Sequence, residues 1–155
     1  QPLPPSAPSC RISENASPLP PLPEATAAAC LIRIGNSVLM VRHRLSGKLD
    51  FPAGGLQGDE SLRCAAHRET WEETGFNLEV GKLLTYSSSG MPVFHCKGEA
   101  SMTALAEQVP APGWAKIEVT GLIRVNPFEL TDEALRFNDD LIPLRDAFVQ
   151  AGEED

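Results

Sequence analysis

Glu69, Glu72 and Glu73 stand at i, i+3 and i+4 in a stretch that reads as a helix ending at Gly75. At 3.6 residues per turn they project within an arc of about 100°. Leu62, Ala65 and Ala66 fall on the same stripe, whereas Arg63, His67 and Thr74 fall on the other side. A merely solvated acidic face would set its carboxylates opposite the alanines. Here the stripe that should dock on a core becomes carboxylate halfway along. Three such groups repel one another unless a cation intervenes, and their oxygen donors suit a hard divalent ion, most simply Mg2+. The helix C-terminus adds its negative dipole end.

The flanking residues fit a helix that carries a site. Asp59 is the expected N-cap, with Glu60 and Ser61 in the first turn, and Gly75 supplies the left-handed stop. Arg68 lies four residues before Glu72 and can pair with it, holding one rotamer and offsetting part of the negative charge. An ordinary surface ion pair would use the same spacing.

Gly54, Glu60, Arg68, Glu69, Glu72, Glu73 and Gly75 reproduce every fixed position of a motif written G-x5-E-x7-R-E-U-x-E-E-x-G-U. With them the chain resembles the Nudix hydrolase family. Phe76 fits the last bulky position; Thr70 departs from the usual aliphatic at the first. The preceding Phe51, Pro52 and Ala53 also look like that family's approach to the motif.

The resemblance implies an α/β fold, the α/β/α sandwich with a mixed β-sheet, over residues 25–150. It also implies hydrolysis of a diphosphate linkage in a nucleoside-diphosphate-linked or related small substrate, by attack of water on phosphorus with Mg2+ or Mn2+. By the family pattern Glu69 and Glu73 are direct metal ligands, together with the Ala53 carbonyl. Glu72 is either a ligand or the group that accepts the proton from water. Glu60 and Arg68 brace loop and helix. A further carboxylate often comes from a later loop; Glu118, after Pro112-Gly113-Trp114, is the first candidate and Glu99 the second.

Phosphate reception falls to the basic strip Arg42, His43, Arg44 and Lys48. Alternation along a strand sets Arg42 and Arg44 on one face and His43 on the other, so the two arginines are expected to point at the diphosphate. A solvated hairpin face would look the same. Trp114, Tyr86 and Phe94 are the aromatic groups available to stack on a base. Pro92 stands sixteen residues beyond Phe76, a spacing that resembles one used to flag ADP-ribose pyrophosphatases. The competing function is a Nudix-fold nucleotide-binding or sensor module without turnover. Degenerate carboxylates would mark it, and none of the motif's is degenerate.

A chain of 155 residues is one domain. Its net charge of −8 disfavours a nucleic-acid polymer or an anionic membrane surface as partner. No run approaches the 18 or more apolar residues of a membrane-inserted helix. A small phosphorylated substrate, received by a metal and local basic groups, is the expected partner; the sequence leaves homodimerisation open. The chain begins at Gln1 rather than at a methionine, which fits a processed or truncated product from which a signal peptide has gone.

Residues 1–24 hold more than half of the fourteen prolines and read as an extended arm or linker. Residues 151–155 form an acidic tail. Between them strands are expected at 27–34, 38–43, 48–51, 77–87, 92–100 and 116–125, and a last helix at 139–151 with Leu141, Leu144 and Phe148 on one face and Pro143 in its first turn. Residues 101–115 are ambiguous between helix and turn.

Cys10, Cys30, Cys64 and Cys96 allow three full pairings and match no zinc spacing. The segments AAACLIR, VFHCK and VNPFEL give a second resemblance, to extracytoplasmic Nudix domains fused to type-2 phosphatidic acid phosphatases. It implies a periplasmic or otherwise exported home, against the cytoplasmic alternative, and a Cys30–Cys96 bridge. Both cysteines share strand faces with apolar residues, Ile32 and Ile34 in one case and Phe94 in the other, so the pair is expected on neighbouring strands.

Overall fold

The computed structural model describes residues 5–115 and 117–154; residues 1–4 of the arm, Lys116 at the expected start of the last strand and Asp155 of the acidic tail lie outside them. Among the described residues nine strands form two sheets. In the first, β5 (Ala53–Gly55), β1 (Ala27–Leu31), β7 (Pro92–Lys97) and β6 (Glu79–Tyr86) lie side by side, with β1 and β7 parallel and the outer pairs antiparallel. In the second, β2 (Arg33–Ile34), β3 (Ser37–His43), β9 (Val119–Val125) and β8 (Gln108–Pro110) run antiparallel, and β4 (Leu49–Asp50) adds to β3. The mixed sheet of the sequence reading is the first of these, and the second is wholly antiparallel. The expected strand at 27–34 supplies both, divided at Ile32, and Gly54 and Gly55 at the head of the motif lie in strand β5.

Alternation in β1 explains the sandwich. Ala28 and Cys30, with Ile32 just beyond, face a core that includes Ala65 and Ala66 of helix α1 (Leu62–Thr74). Ala29 and Leu31 face the opposite core, with Leu144, Ala147, Phe148 and Ala151 of helix α2 (Leu141–Glu154). β3 repeats the pattern, Leu39 and Val41 toward α1 and Val38 and Met40 toward α2. A strand buried on both faces reads as a near-continuous apolar run, which is why helices must cover it on each side. Helix α2 starts two residues later than expected because a 3-10 turn, Asn138–Asp140, precedes it; Pro143 stays in the first turn. The ambiguous stretch resolves into 3-10 turns at Ala100–Ala104 and Gly113–Ala115 around short β8.

Cys30 and Cys96 are bonded across β1 and β7, with Cα atoms 5.5 Å apart, inside the apolar core. The other two cysteines are bonded as well: Cys10 joins Cys64 of α1, Cα to Cα 5.4 Å. Segment 10–16 therefore runs against the domain. Val80 donates to Arg11 O and Ser13 to Val80 O, both at 2.8 Å, extending the β6 edge.

Candidate active site

Helix α1 begins two residues later than expected: Ser61, not Asp59, is the N-cap, its hydroxyl accepting from Cys64 N at 3.1 Å. The end is as expected, Gly75 at φ 78° with its N–H bonded to Trp71 O. The buried side of the helix holds Arg63, Ala65, Ala66, His67, Thr70, Glu73 and Thr74. It is centred near Thr70, rotated by roughly 90° from the stripe expected from the alanines. Arg63, His67 and Thr74 are thus inside, not outside. Their polar heads are satisfied locally: Arg63 donates to Gly81 O at 2.9 Å, His67 pairs with Asn77 Oδ1 at 2.7 Å, and Thr74 donates to Thr70 O at 2.6 Å.

That rotation grades the three glutamates. Glu73 is buried, and its carboxylate accepts from Ala53 N at 3.0 Å, joining the helix to β5. Glu69 lies at the margin against Gly54, where any Cβ would fall on its carboxylate and displace it. Glu72 is the most open of the three, its side chain 32% exposed. Burial pushes the Glu73 carboxyl well above its usual range. Burial, then the neighbouring Glu72, pushes Glu69 up to about 8.

Arg68 is the counter-charge. It donates to Glu60 at 2.7 Å, Glu69 at 2.9 Å, Glu72 at 3.1 Å and the Gly55 carbonyl at 2.8 Å. Glu60 in turn accepts from Gln57 N at 2.9 Å, so the loop before the helix is closed by one guanidinium and one carboxylate. The fork geometry of arginine is what lets one side chain serve four acceptors.

A cleft of about 350 Å³ opens beside these groups, lined by Val41, His43, Asp50, Glu69, Glu73, Glu118 and Arg136 among others. It continues past Glu73 and Glu118 to Glu72, Trp114 and Ile117. Glu118, the first candidate from a later loop, thus lines the cleft. Glu99 precedes the turn at Ala100–Ala104 and is absent from the lining. Trp114 is fixed by an indole N–H bond to Glu72 O at 2.8 Å and lies 5.9 Å from Trp71.

The basic strip is placed differently from the expectation. Strand alternation holds, but the face turned to the cleft carries Val41 and His43, so Arg42, Arg44 and Lys48 do not line it. Arg42 instead donates to Gly47 O at 2.7 Å within its own turn. The aromatic candidates also part company: Phe94 is fully buried beneath Arg63, and Tyr86 ends β6 away from the cleft. Asp50 and Arg136 were not foreseen. They meet at 3.4 Å because Arg136 N bonds Leu49 O at 2.8 Å, a juxtaposition across 86 residues that no local pattern announces. Burial raises Asp50 to about 6.

The donor set fits a hard divalent ion: several carboxylates share one cleft, and burial together with neighbouring carboxylates pushes the Glu69 and Glu73 carboxyls above their usual range, which a cation would relieve. Among the described residues no three acidic, histidine or cysteine side chains already stand grouped as a ligand shell, since Glu69 and Glu72 turn to Arg68 and Glu73 to Ala53 N. A linkage follows. Between pH 4.5 and 8 the folded protein retains protons on Glu69 that the unfolded chain has released, so metal-free stability falls as pH rises through that window. A bound cation competes with those protons. Millimolar Mg2+ is expected to raise the melting midpoint by several degrees at pH 8 and little at pH 5. Equal shifts at both pH values, read by calorimetry, would contradict this.

Residues 23–136 match the family model described as NUDIX domain. A MutT-like protein of Streptomyces ambofaciens is 30% identical over 100 residues, 61% of this chain and 65% of that protein. Phosphatase NudJ of Escherichia coli K12 is 42% identical over 53 residues, 33% of this chain. The chain spans less than two thirds of either relative, 65% and 35% respectively. Among solved structures, a NUDIX hydrolase from Nitrosomonas europaea superposes with a TM-score of 0.62 at 21% identity, covering 84% of this chain and 74% of that one. An ADP-ribose pyrophosphatase from Streptococcus suis gives 0.62 at 15% identity, covering 83% and 92%. These two share the fold with it. Matched over most of its length, with the motif intact and its helix set against β5 as the sandwich requires, the chain belongs to the Nudix hydrolase family.

Proposed function

We propose that this protein hydrolyses a diphosphate linkage in a nucleoside-diphosphate-linked or related small substrate, using Mg2+ or Mn2+. The observation that carries the reading is the convergence of Glu69, Glu73 and Glu118 on one cleft, with Glu72 at its continuation. Glu69, Glu73, the Ala53 carbonyl and Glu72 would hold the ion. When bound, such an ion polarises a phosphoryl oxygen and neutralises the leaving group. The chain's own residues do the rest. Arg68 keeps the carboxylates on one side of the helix. Glu118, exposed at the cleft wall, is placed to take a proton from the attacking water, the part that Glu72 would play if it is not a ligand. Trp114 and Ile117 offer an apolar seat for the organic half of the substrate.

A panel of nucleoside di- and triphosphates, nucleotide sugars, dinucleoside polyphosphates and isoprenoid diphosphates, with Mg2+ and with Mn2+, tests this. Turnover of at least one class is expected. Silence throughout would favour a catalytically silent nucleotide-binding module.

We also propose that the protein works in an oxidising compartment, the periplasm or another exported location. Two bonded cysteine pairs support this, because such bonds are rare in reducing cytosol. Alkylation of the protein taken from its own cells should find no free thiol; four would overturn it.

A further inference from the structure

The cleft poses an electrostatic problem. Asp50, Glu69, Glu73 and Glu118 all line it, yet the substrate class proposed above is itself anionic. A divalent ion answers part of this, and positive side chains must answer the remainder. Arg68 is committed to four acceptors and is only 13% exposed. Arg42 lies on the opposite strand face. Among the described residues that line the cleft and its continuation, Arg136 brings the guanidinium.

Its position is built, not incidental. Leu135 is buried and forms a bridge with Leu49, and Arg136 N bonds Leu49 O at 2.8 Å, so the backbone that carries the side chain is fixed to β4. The guanidinium lies 4.9 Å from the centre of the Phe137 ring and meets Asp50 at 3.4 Å, long for a charge-assisted bond. Asp50 is itself anchored, accepting from Phe51 N at 2.8 Å. The arrangement aims Arg136 into the cleft while its side chain stays 40% exposed, and one long bond leaves most of its five donors for another acceptor. At the other end, beyond Glu73 and Glu118, the walls are Trp114 and Ile117.

We infer that Arg136 is the residue that binds the substrate's phosphate oxygens, so that the diphosphate lies toward Arg136 and His43 and the organic moiety toward Trp114 and Ile117. Asp50 is its positioning residue. The inference rests on the diphosphate reading but is tested apart from turnover, with methylenediphosphonate as a probe that cannot be hydrolysed at its bridge. Titration calorimetry of the probe in Mg2+ should show Arg136→Gln weakening the dissociation constant roughly tenfold to a hundredfold, the scale of a lost charged hydrogen-bonding group. Arg136→Lys should fall between, because it keeps charge without the fork. If the single variant is unfolded by calorimetry, Asp50→Asn combined with Arg136→Gln removes both members of the pair and takes its place. With a turned-over substrate, KM should rise while kcat changes by less than about threefold. An unchanged dissociation constant in a folded variant, or no binding to the wild type, overturns the inference. Arg136-dependent binding without turnover of any substrate would sustain it and remove the hydrolase reading instead.

Discussion

Replacing Glu73 by glutamine is expected to cut turnover by roughly two orders of magnitude or more without lowering the melting midpoint of the metal-free protein. The two halves of that expectation have separate causes. Glutamine keeps the carbonyl oxygen that accepts from Ala53 N, so the tie between α1 and β5 survives. What disappears is a carboxylate that burial already disfavours as an anion, and its loss is felt only when a cation or a developing charge needs it. Steady-state kinetics at saturating metal and a thermal melt without metal check the two halves. An unchanged rate would remove Glu73 from the ligand set.

Arg68→Met is expected to damage both stability and activity. It strips the shared counter-charge from Glu60, Glu69 and Glu72 and a donor from the Gly55 carbonyl. Leaving partly buried carboxylates uncompensated costs roughly 3 kcal/mol, to be read from denaturant unfolding at neutral pH. Added Mg2+ should recover part of the loss, since it supplies positive charge to the same carboxylates. Arg68→Lys should recover charge but not the fork, and so only part of the stability. A change under about 0.5 kcal/mol in Arg68→Met would mean that these pairs are no more than surface decoration.

The strands and helices were legible in local patterns, and the sandwich they build was implied by the resemblance. Apolar runs such as Ala27–Leu31 and Ser37–His43 announce strands covered on both sides, and the motif from Gly54 to Phe76 places the glutamates on one helix. Sequence also placed Glu118 and Trp114 near them and paired Cys30 with Cys96. Its failures share a cause. The rotation of α1 was hidden because Arg63 and His67 are polar residues whose partners, Gly81 O and Asn77, come from elements after the helix. The facing of Arg42 against His43 depends on which side of β3 meets the cleft, and alternation alone defines two faces without saying which is inward. Arg136 reaches the cleft through a bridge between Leu49 and Leu135, and Cys10 reaches Cys64 from an arm with no periodicity. Such contacts are products of tertiary closure.

The central claim is that the carboxylates of α1 serve attack of water on phosphorus. It is tested most directly by running the reaction of any substrate from the panel in 18O-labelled water with Mg2+ and locating the label by mass spectrometry. One 18O atom is predicted in a phosphate product per linkage cleaved in the wild type, with both label and products lost on chelation of the metal. Products whose phosphates carry no 18O, or label incorporated at an undiminished rate in Glu73→Gln, would contradict the claim.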